Sequence, residues 1–456
     1  MTERGDGIYI IEKHDVSSSY VAKLPGFFRR HWKKAAIASP IVYFLSNLAY
    51  NRYQEELLVI EACKRAKQLG EQRLRSSFEK QPKVTVFVNP SANNQKALAQ
   101  IERSLLPMLH LAAMDVRVVK MEEEGEGKEL VSVCDDSQAI VAAGGDGTVN
   151  EIITGILSSE AKIQRLPLLI APVGYRHNSL YKVINHRTYT PKHTIKNIIS
   201  ATDSFLANST QPVSLMRVIP MPKADQLLDG ESPRKFKNVF SAVGVSFGPY
   251  RDVLDQSSLD KFWYFGPLKK LFVTSKATFA YKDRKIGLNI KWTDVCSGCK
   301  LCKKDEIENA KRKLSSKNRG LFGASTTNKD IALEANKVLK FDKIVNEKCS
   351  IVRSRTLIDV DQIVFKPGKD CIEISVSTGA SGLDFFTQSL FRFRDPTAGY
   401  TILSPANITR INCKEVWVEP SEGKRYPNWF SLDNENFEAI PFYAKFYKDS
   451  IRAFKS

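Results

Sequence analysis

The chain has 456 residues, and its 68 Lys and Arg against 50 Asp and Glu give a formal net charge of +18. Hydrophobic residues make up 43% of the chain and charged residues 26%, which excludes a chain that is disordered throughout. The positive charge excludes an acidic solvating protein and favours an anionic partner: nucleotide phosphate, nucleic acid or a negatively charged membrane. Eight Cys are too few for a disulfide-held secreted scaffold.

Residues 1–80 are predicted to form a targeting and membrane-attachment region. The basic segment FFRRHWKK (27–34) precedes an apolar run at residues 35–50 that lacks acidic side chains. As a helix, this run would span about 24 Å, which is short of the roughly 30 Å hydrocarbon core of a bilayer. We therefore expect a marginal membrane anchor with a mitochondrial targeting character. The alternative is a helix that docks on the protein's own core.

Residues 81–213 are predicted to form an α/β domain with a mostly parallel sheet. Short β-branched runs predict strands at 84–88, 114–121 and 139–145, and segments with helical spacing lie between them. Strands that alternate with helices favour right-handed crossovers and therefore parallel pairing.

Residues 214–456 are predicted to form an antiparallel β-sandwich domain, because short strands follow one another with Gly, Asn, Pro and Asp between them. A basic surface insertion, part helix and part flexible loop, is expected near residues 296–348, where Lys is frequent and aromatic residues are few. The candidate strands are VFSAVGVSF (239–247), KIGLNIKW (285–292), CIEISVS (371–377), DFFTQSLFRF (384–393), EVWVEP (415–420), NWFSL (428–432) and FEAIPFYAKFY (437–447).

Three cysteines lie close together at the start of this insertion, in CSGCKLC: Cys296, Cys299 and Cys302. Two CxxC steps place three thiolates for one metal ion, but a closed site requires a fourth ligand. Cys349 or Cys371 would have to supply that ligand from a distance along the chain. A metal or redox site and a loop of free thiols both remain open.

The sharpest chemical signal is Gly144-Gly145-Asp146-Gly147-Thr148, which follows an apolar strand and precedes a helical run. Glycines let a ligand approach the backbone closely, and a helix N-terminus offers free N–H groups and a positive dipole end to phosphate. Asp146 suits Mg²⁺ binding or removal of a proton from an attacking hydroxyl, and either role fits phosphoryl transfer. The alternative is a tight turn in which Asp146 or Thr148 caps the helix.

An ordered set of motifs resembles the lipid kinases of the diacylglycerol and sphingosine kinase superfamily. Walker A and protein-kinase motifs are missing from the sequence. Within the superfamily, HWKK (31–34), AAGGDGTVNEIITGIL (142–157) and FSLDNENFEAIPF (430–442) are similar to the mitochondrial acylglycerol kinases. The superfamily motifs are Asn89-Pro90, GGDGT (144–148), Pro172-Val173-Gly174 and Asp433-Asn434-Glu435.

The resemblance implies an active site in the cleft between the α/β domain and the β-sandwich domain. By this resemblance Asp146 and Glu435 would be catalytic, and Asp433 would help to place Mg²⁺. The sequence departs from the family pattern after Pro90, where the loop SANNQK has no glycine, and at Asn434, which replaces the Gly of the usual Asp-Gly-Glu. The residues that would bind ATP are Asn89, Pro90, Gly144, Gly145, Asp146, Gly147, Thr148, Glu151 and Gly174.

The resemblance further implies an ATP- and Mg²⁺-dependent kinase that phosphorylates monoacylglycerol or diacylglycerol at an anionic mitochondrial membrane. The expected location is the inner membrane, facing the intermembrane space. The alternative function is that of a kinase-independent structural subunit of the inner-membrane carrier translocase. Nucleic acid is not expected as a partner, because the sequence contains no RNP-like or other nucleic-acid module.

Overall fold

A computed structural model of the chain describes most of its residues, and the chain divides into two compact units, residues 1–61 and 62–456. The start of the predicted targeting region, 1–18, lies outside the described residues. The structure describes residues 19–76, 81–123, 125–134, 136–174, 178–185, 194–221, 238–254, 259–281, 283, 285–296, 298–317, 336, 338–393, 398–402, 407–422 and 427–455.

The apolar segment at residues 35–50 lies within one long helix, α1 (Ser19–Ser76). The side chains of residues 36–50 are exposed, Ile41 and Phe44 among them. Among the described residues, no helix has both the length and the apolar character that are needed to cross a bilayer.

A parallel sheet with the strand order β2–β1–β3–β4 forms the first part of the second unit, which confirms the predicted α/β architecture. Its strands are β1 (Lys83–Val88), β2 (Asp115–Lys120), β3 (Ala139–Gly144) and β4 (Leu168–Pro172). Its helices are α2 (Ala92–Gln95), α3 (Ala97–Arg103), α4 (Leu105–Leu111), α5 (Glu126–Leu130), α6 (Asp146–Ser158), α7 (Ser179–Asn185) and α8 (Thr194–Leu206).

The central strands of this sheet are buried along nearly their whole length, as expected for parallel strands that helices cover on both faces. Parallel pairing brings the carboxyl ends of β1, β3 and β4 to one edge. The backbone N–H of Asn89 donates to the carbonyl of Ala143 (3.2 Å), and that of Gly174 donates to the carbonyl of Gly144 (3.2 Å). The sheet thereby places three predicted motifs side by side.

The remaining strands pair in antiparallel fashion and enclose a second core, which confirms the predicted antiparallel domain. The long strands β9 and β11 each pair with β10 along one part and with β8 along another, so they run from one layer to the other. Rings of Phe247, Phe365, Phe430 and Phe442 pack in the centre of the core. The strands are β5 (Thr210–Pro220), β6 (Val239–Ser241), β7 (Val245–Phe247), β8 (Ile286–Asp294), β9 (Val352–Pro367), β10 (Ile372–Thr378), β11 (Asn407–Pro420), β12 (Trp429–Leu432), β13 (Glu435–Glu438) and β14 (Phe442–Phe454).

The two groups of strands are continuous at one edge, where β14 pairs with β4 at Ala453 and Leu168. Strand β14 also pairs along most of its length with β5, the strand in which the predicted domain boundary at 213/214 lies. The predicted boundaries 1–80, 81–213 and 214–456 stay predictions.

One predicted strand is wrong: DFFTQSLFRF (384–393) lies in a helix, Gly382–Arg392. A capping box at Ser381 and Asp384 starts this helix, with the Ser381 hydroxyl accepting from the backbone N–H of Asp384 and the Asp384 carboxylate accepting from that of Ser381. Its buried side chains recur at helical spacing, at Phe385, Ser389 and Arg392. Aromatic content favoured a strand, whereas the capping box and the spacing indicate a helix.

The helix Gly382–Arg392 packs with two others around a small core that includes Tyr250, Val273 and Phe385. The helical part of the predicted insertion is also present, and residues 318–335 of the insertion lie outside the described residues. The helices of the second part of the unit are α9 (Pro249–Leu254), α10 (Lys269–Phe279), α11 (Lys304–Lys317) and α12 (Gly382–Arg392).

Candidate active site

The glycine-rich loop turns directly from β3 into α6, and Gly145 in extended conformation (φ −88°, ψ −171°) caps the helix N-terminus. A Cβ on Gly144 would lie 2.5 Å from Thr148 Cγ2, and a Cβ on Gly147 would lie 2.6 Å from the carboxyl carbon of Glu435. Close packing therefore requires glycine at position 144, whereas at position 147 only the flexible end of the Glu435 side chain would have to move. The loop leaves the amides of the first turn of α6 at the carboxyl edge of the sheet, as predicted for a phosphate-binding loop.

A cavity of about 540 Å³ opens at this edge and is lined by residues from both parts of the second unit. Of the predicted site residues, Pro90, Gly144 and Asp433 do not line it. The predicted residues that do line it are Asn89, Gly145, Asp146, Gly147, Thr148, Glu151, Gly174 and Glu435.

Asp146 is buried, with 5% of its surface exposed, and its carboxylate holds the start of α7. One oxygen accepts from the backbone N–H of Ser179 (3.0 Å) and the other from that of Leu180 (3.1 Å). The side-chain amide of Asn434 donates to the first oxygen (3.2 Å) and also to the hydroxyl of Ser179. Asp146 thus links the glycine loop to α7 and to the late acidic motif at the wall of the cavity.

Asp433, which the resemblance assigned to Mg²⁺ placement, lies outside the cavity lining. It is 1% exposed, and both of its oxygens are used by donors. One oxygen accepts from the Ser241 hydroxyl (2.6 Å) and from the N–H groups of Val243 and Gly244 (both 2.9 Å). The other accepts from the N–H of Ala242 (3.0 Å) and from Asn150 Nδ2 (3.2 Å). A role of Asp433 as a metal ligand does not fit five such donors and a position outside the cavity lining.

Burial raises the pKa of Asp433 to about 6, against the opposing effect of the hydrogen bonds from Ser241 and from the backbone of residues 242–244. Asn150 belongs to α6, so this carboxylate braces α6 against the β6–β7 segment. Its contribution to the site is the placement of its neighbours Asn434 and Glu435.

Asn89 shapes the turn after β1. Its side-chain amide donates to the Thr148 hydroxyl (3.2 Å), and its side-chain oxygen accepts from the N–H of Ser91 (3.0 Å). Asn93 and Asn94 follow with positive φ (55° and 53°), a conformation that Asn tolerates better than most side chains. The loop therefore reaches a left-handed turn without the family's glycine.

Glu151 stands on α6 and accepts a hydrogen bond from the N–H of Gly125 (2.9 Å). Gly125 caps α5 with a φ of 88°, so Glu151 ties the start of α5 to α6.

The cavity is acidic. Its described lining contains five carboxylates and no Lys, Arg or His. Carboxylate oxygens are the ligands that Mg²⁺ prefers, and a bound cation would offset their repulsion of nucleotide phosphates. The donor set therefore fits a magnesium–nucleotide complex, although through carboxylates other than the predicted Asp433. The five are Glu122, Glu123, Asp146, Glu151 and Glu435.

Sequence reasoning missed several lining residues, among them Glu122 and Glu123, which directly follow β2. The rule that ligands bind at the carboxyl ends of parallel strands could have found both. Asn434 was noted in the sequence only because it replaces the usual Gly of the late acidic motif, yet its side-chain amide donates a hydrogen bond to Asp146. Asn150 was missed because its partner Asp433 is 283 residues away.

A sequence model of the family "Diacylglycerol kinase catalytic domain" matches residues 83–218. The chain is 27% identical to "Acylglycerol kinase, mitochondrial" of Mus musculus over 93% of this chain and 94% of that protein. It is 33% identical to the protein of the same name from Xenopus laevis, over 53% of this chain and 52% of the relative, and 30% identical to that of Homo sapiens over 53% of each. The matches to these two relatives span about half of their length.

A putative diacylglycerol kinase from Bacillus anthracis is similar in structure, with a TM-score of 0.48 and 14% identity over 84% of this chain and 97% of that chain. The functional comparison rests on the sequences: the catalytic-domain match contains the glycine loop, and the similarity to the mouse relative covers 93% of this chain. The comparisons therefore support a kinase that is similar to the acylglycerol kinases of the lipid kinase superfamily.

Proposed function

We propose that the protein is an ATP- and Mg²⁺-dependent lipid kinase that phosphorylates the hydroxyl of a monoacylglycerol or diacylglycerol. The products would be lysophosphatidic or phosphatidic acid. The observation that carries this proposal is the glycine-capped N-terminus of α6, which faces a cavity lined by Asp146 and Glu435 from opposite parts of the unit. A phosphate donor and an acceptor hydroxyl can meet there.

The ATP phosphates would bind at the first turn of α6. Backbone amides and the helix dipole attract phosphate there without any basic side chain. Gly145, Gly147 and Thr148 would border the phosphates directly. Pro90 and Gly144 would act through backbone shape, since neither lines the cavity.

Mg²⁺ would supply charge neutralisation at the phosphates. Glu151 and the pair Glu122 and Glu123 are the carboxylates that would hold it, because all three line the cavity. Mg²⁺ uses only one or two protein carboxylates and completes its octahedron with phosphate and water oxygens. Such a site does not need Asp433.

Proton transfer from the acceptor hydroxyl is assigned to Asp146 and Glu435. The three amide donors fix the Asp146 carboxylate in one orientation at the cavity wall. Glu435 stands over Gly147 on an exposed strand, β13, at the other side of the loop. A hydroxyl bound between the two carboxylates would be oriented by one and could pass its proton to either.

An exposed apolar surface beside α10 supports a membrane-bound substrate. Trp263 and Tyr264 are 75% and 62% exposed, and Phe279 is 92% exposed. Lys269 and Lys270 begin the same helix. Exposed aromatic side chains next to lysines are typical of proteins that bind anionic lipid surfaces. Together with the relatives named as mitochondrial, this surface supports our proposal of an anionic mitochondrial membrane. The inner membrane, facing the intermembrane space, is the location that we propose from the family resemblance.

The test is transfer of radiolabelled phosphate from ATP to a lipid panel of monoacylglycerol, diacylglycerol and sphingosine, with and without Mg²⁺. We expect Glu435→Gln to lower kcat by about 10²- to 10⁴-fold, the usual contribution of a general acid or base. Glu438→Gln is the matched control, because Glu438 lies on the same strand outside the cavity and should retain full activity. Asp146→Asn should also inactivate, with its folding checked by thermal unfolding.

Absence of lipid phosphorylation by folded wild-type protein in the presence of Mg²⁺ would contradict the proposal. The same variants test the alternative role as a carrier-translocase subunit. Restoration of carrier import by an inactive but folded Glu435→Gln protein would establish a function that does not depend on the kinase activity.

A further inference from the structure

Four cysteines converge outside the candidate active site. Cys296, Cys299, Cys302 and Cys349 place their sulfur atoms within 4.8 Å of one another. None of the four forms a disulfide, and none lines the cavity described above. The sequence left the fourth member open between Cys349 and Cys371, and the fold selects Cys349.

The spacing of the sulfur atoms matches a tetrahedral metal site better than a disulfide. Zinc binds thiolate at about 2.3 Å, so the edge of a zinc tetrathiolate tetrahedron is about 3.8 Å long. The sulfur atoms of Cys299 and Cys302 are 3.7 Å apart. A disulfide bond would require about 2.05 Å.

Neighbouring groups already orient the thiols. The backbone N–H of Cys299 donates to Cys302 Sγ (3.2 Å), and Asn346 Nδ2 donates to Cys296 Sγ (3.4 Å). Hydrogen bonds of this kind to ligand atoms are typical of metal sites. Gly298 turns the chain between the first two cysteines with a φ of 131°, where a side chain would be strained.

The position of the cluster explains what a metal ion would do. Strands β8 and β9 pair as far as Thr293 and Val352, and the insertion leaves the sheet directly beyond this pair. The cysteines lie just inside both ends of the insertion, where the N–H of Lys300 also donates to the carbonyl of Ile344 (2.9 Å). A metal bound there would close the base of a long loop, where a cross-link removes much conformational freedom from the unfolded chain.

We propose that Cys296, Cys299, Cys302 and Cys349 form a structural zinc site that clamps the base of the insertion between β8 and β9. Four thiolates fill a tetrahedral shell and leave no position for substrate, which distinguishes structural from catalytic zinc. Tetrahedral coordination by four sulfurs is typical of zinc or iron–sulfur centres.

The experiment measures metal content in the full chain, purified under reducing conditions after growth with added zinc. We expect about one zinc ion per chain in the wild type, as a four-ligand site requires. The double variant Cys296→Ser/Cys349→Ser should lose it. Cys371→Ser is the control, since it removes a partly buried cysteine outside the cluster and should keep the zinc.

A second measurement needs no variant. After the zinc is removed by a chelator, Co²⁺ added to the wild type should give the intense visible absorption of tetrahedral cobalt with thiolate charge transfer, and added zinc should abolish it. Reduced wild type without zinc or iron and without a cobalt thiolate spectrum would overturn the proposal. Iron in place of zinc, equal zinc in the double variant, or a Cys299–Cys302 disulfide in the reduced preparation would overturn it as well.

Discussion

Replacing Asp433 by alanine distinguishes a structural carboxylate from a metal ligand. In the structure, the substitution removes the acceptor of five hydrogen bonds, four from residues 241–244 and one from Asn150. Asp433 is 1% exposed, so water does not reach these donors without a local rearrangement. Alanine would also have to adopt a φ of 49°, which Asp tolerates better.

The expected loss of folding stability in Asp433→Ala follows from the hydrogen-bond donors that are left without an acceptor. A buried donor that loses its partner costs about 1–3 kcal/mol, so the three backbone N–H groups alone give about 3–9 kcal/mol. The left-handed backbone adds about 1 kcal/mol. Because natural domains have a net stability of about 5–15 kcal/mol, we expect Asp433→Ala to unfold largely or to melt far below the wild type.

The loss of folding stability is measured by thermal unfolding, with tryptophan fluorescence as the signal. Asn150→Ala and Ser241→Ala are matched controls, since each removes a single donor and leaves the carboxylate with four, and each should cost about 1 kcal/mol. The stability of Asp433→Asn should lie between that of the controls and that of Asp433→Ala, because one side-chain oxygen remains to accept hydrogen bonds. Wild-type stability of Asp433→Ala, combined with a loss of Mg²⁺-dependent activity, would refute the structural role and restore the metal-ligand assignment.

The free energy of unfolding of Gly147→Ala should lie within about 1 kcal/mol of the wild type, since only the flexible end of Glu435 must move. Kinase activity should be lost, because Glu435 is displaced from its position over the loop. Gly144→Ala meets Thr148 next to the backbone and should destabilise by about 1–3 kcal/mol; equal melting of the two variants would contradict this. Burial raises the pKa of Asp433 to about 6, so its contribution to the free energy of unfolding should be full below pH 4 and fall by about 3 kcal/mol as the pH rises through 6. Urea titrations at a series of pH values should show this trend in the wild type and not in Asp433→Asn.

The parallel sheet and the glycine loop were predictable because their signals are local. Each buried strand is a short apolar run, and GGDGT stands between a strand and a helix in one continuous segment. The helix Gly382–Arg392 was also encoded locally, by its capping box, but the aromatic residues favoured the wrong element.

The residues whose surroundings the sequence did not indicate depend on distant partners. Asp433 accepts hydrogen bonds from residues 241–244, about 190 residues earlier, and nothing near it in the sequence reports them. Cys349 and Cys371 were equivalent as a fourth thiol until the fold brought one of them to the cluster.

The sequence by itself determined the α/β class, the antiparallel second part, the glycine-rich loop and the resemblance to the lipid kinases, because short-range pattern and backbone conformation specify these. Only the tertiary structure decided which carboxylates face the cavity and which one is enclosed by donors. It also brought Cys349 next to the three cysteines that are clustered in the sequence. Charge, burial and hydrogen bonding of a side chain are set by whatever packs against it, and in this protein those neighbours are contributed by segments far apart in the chain.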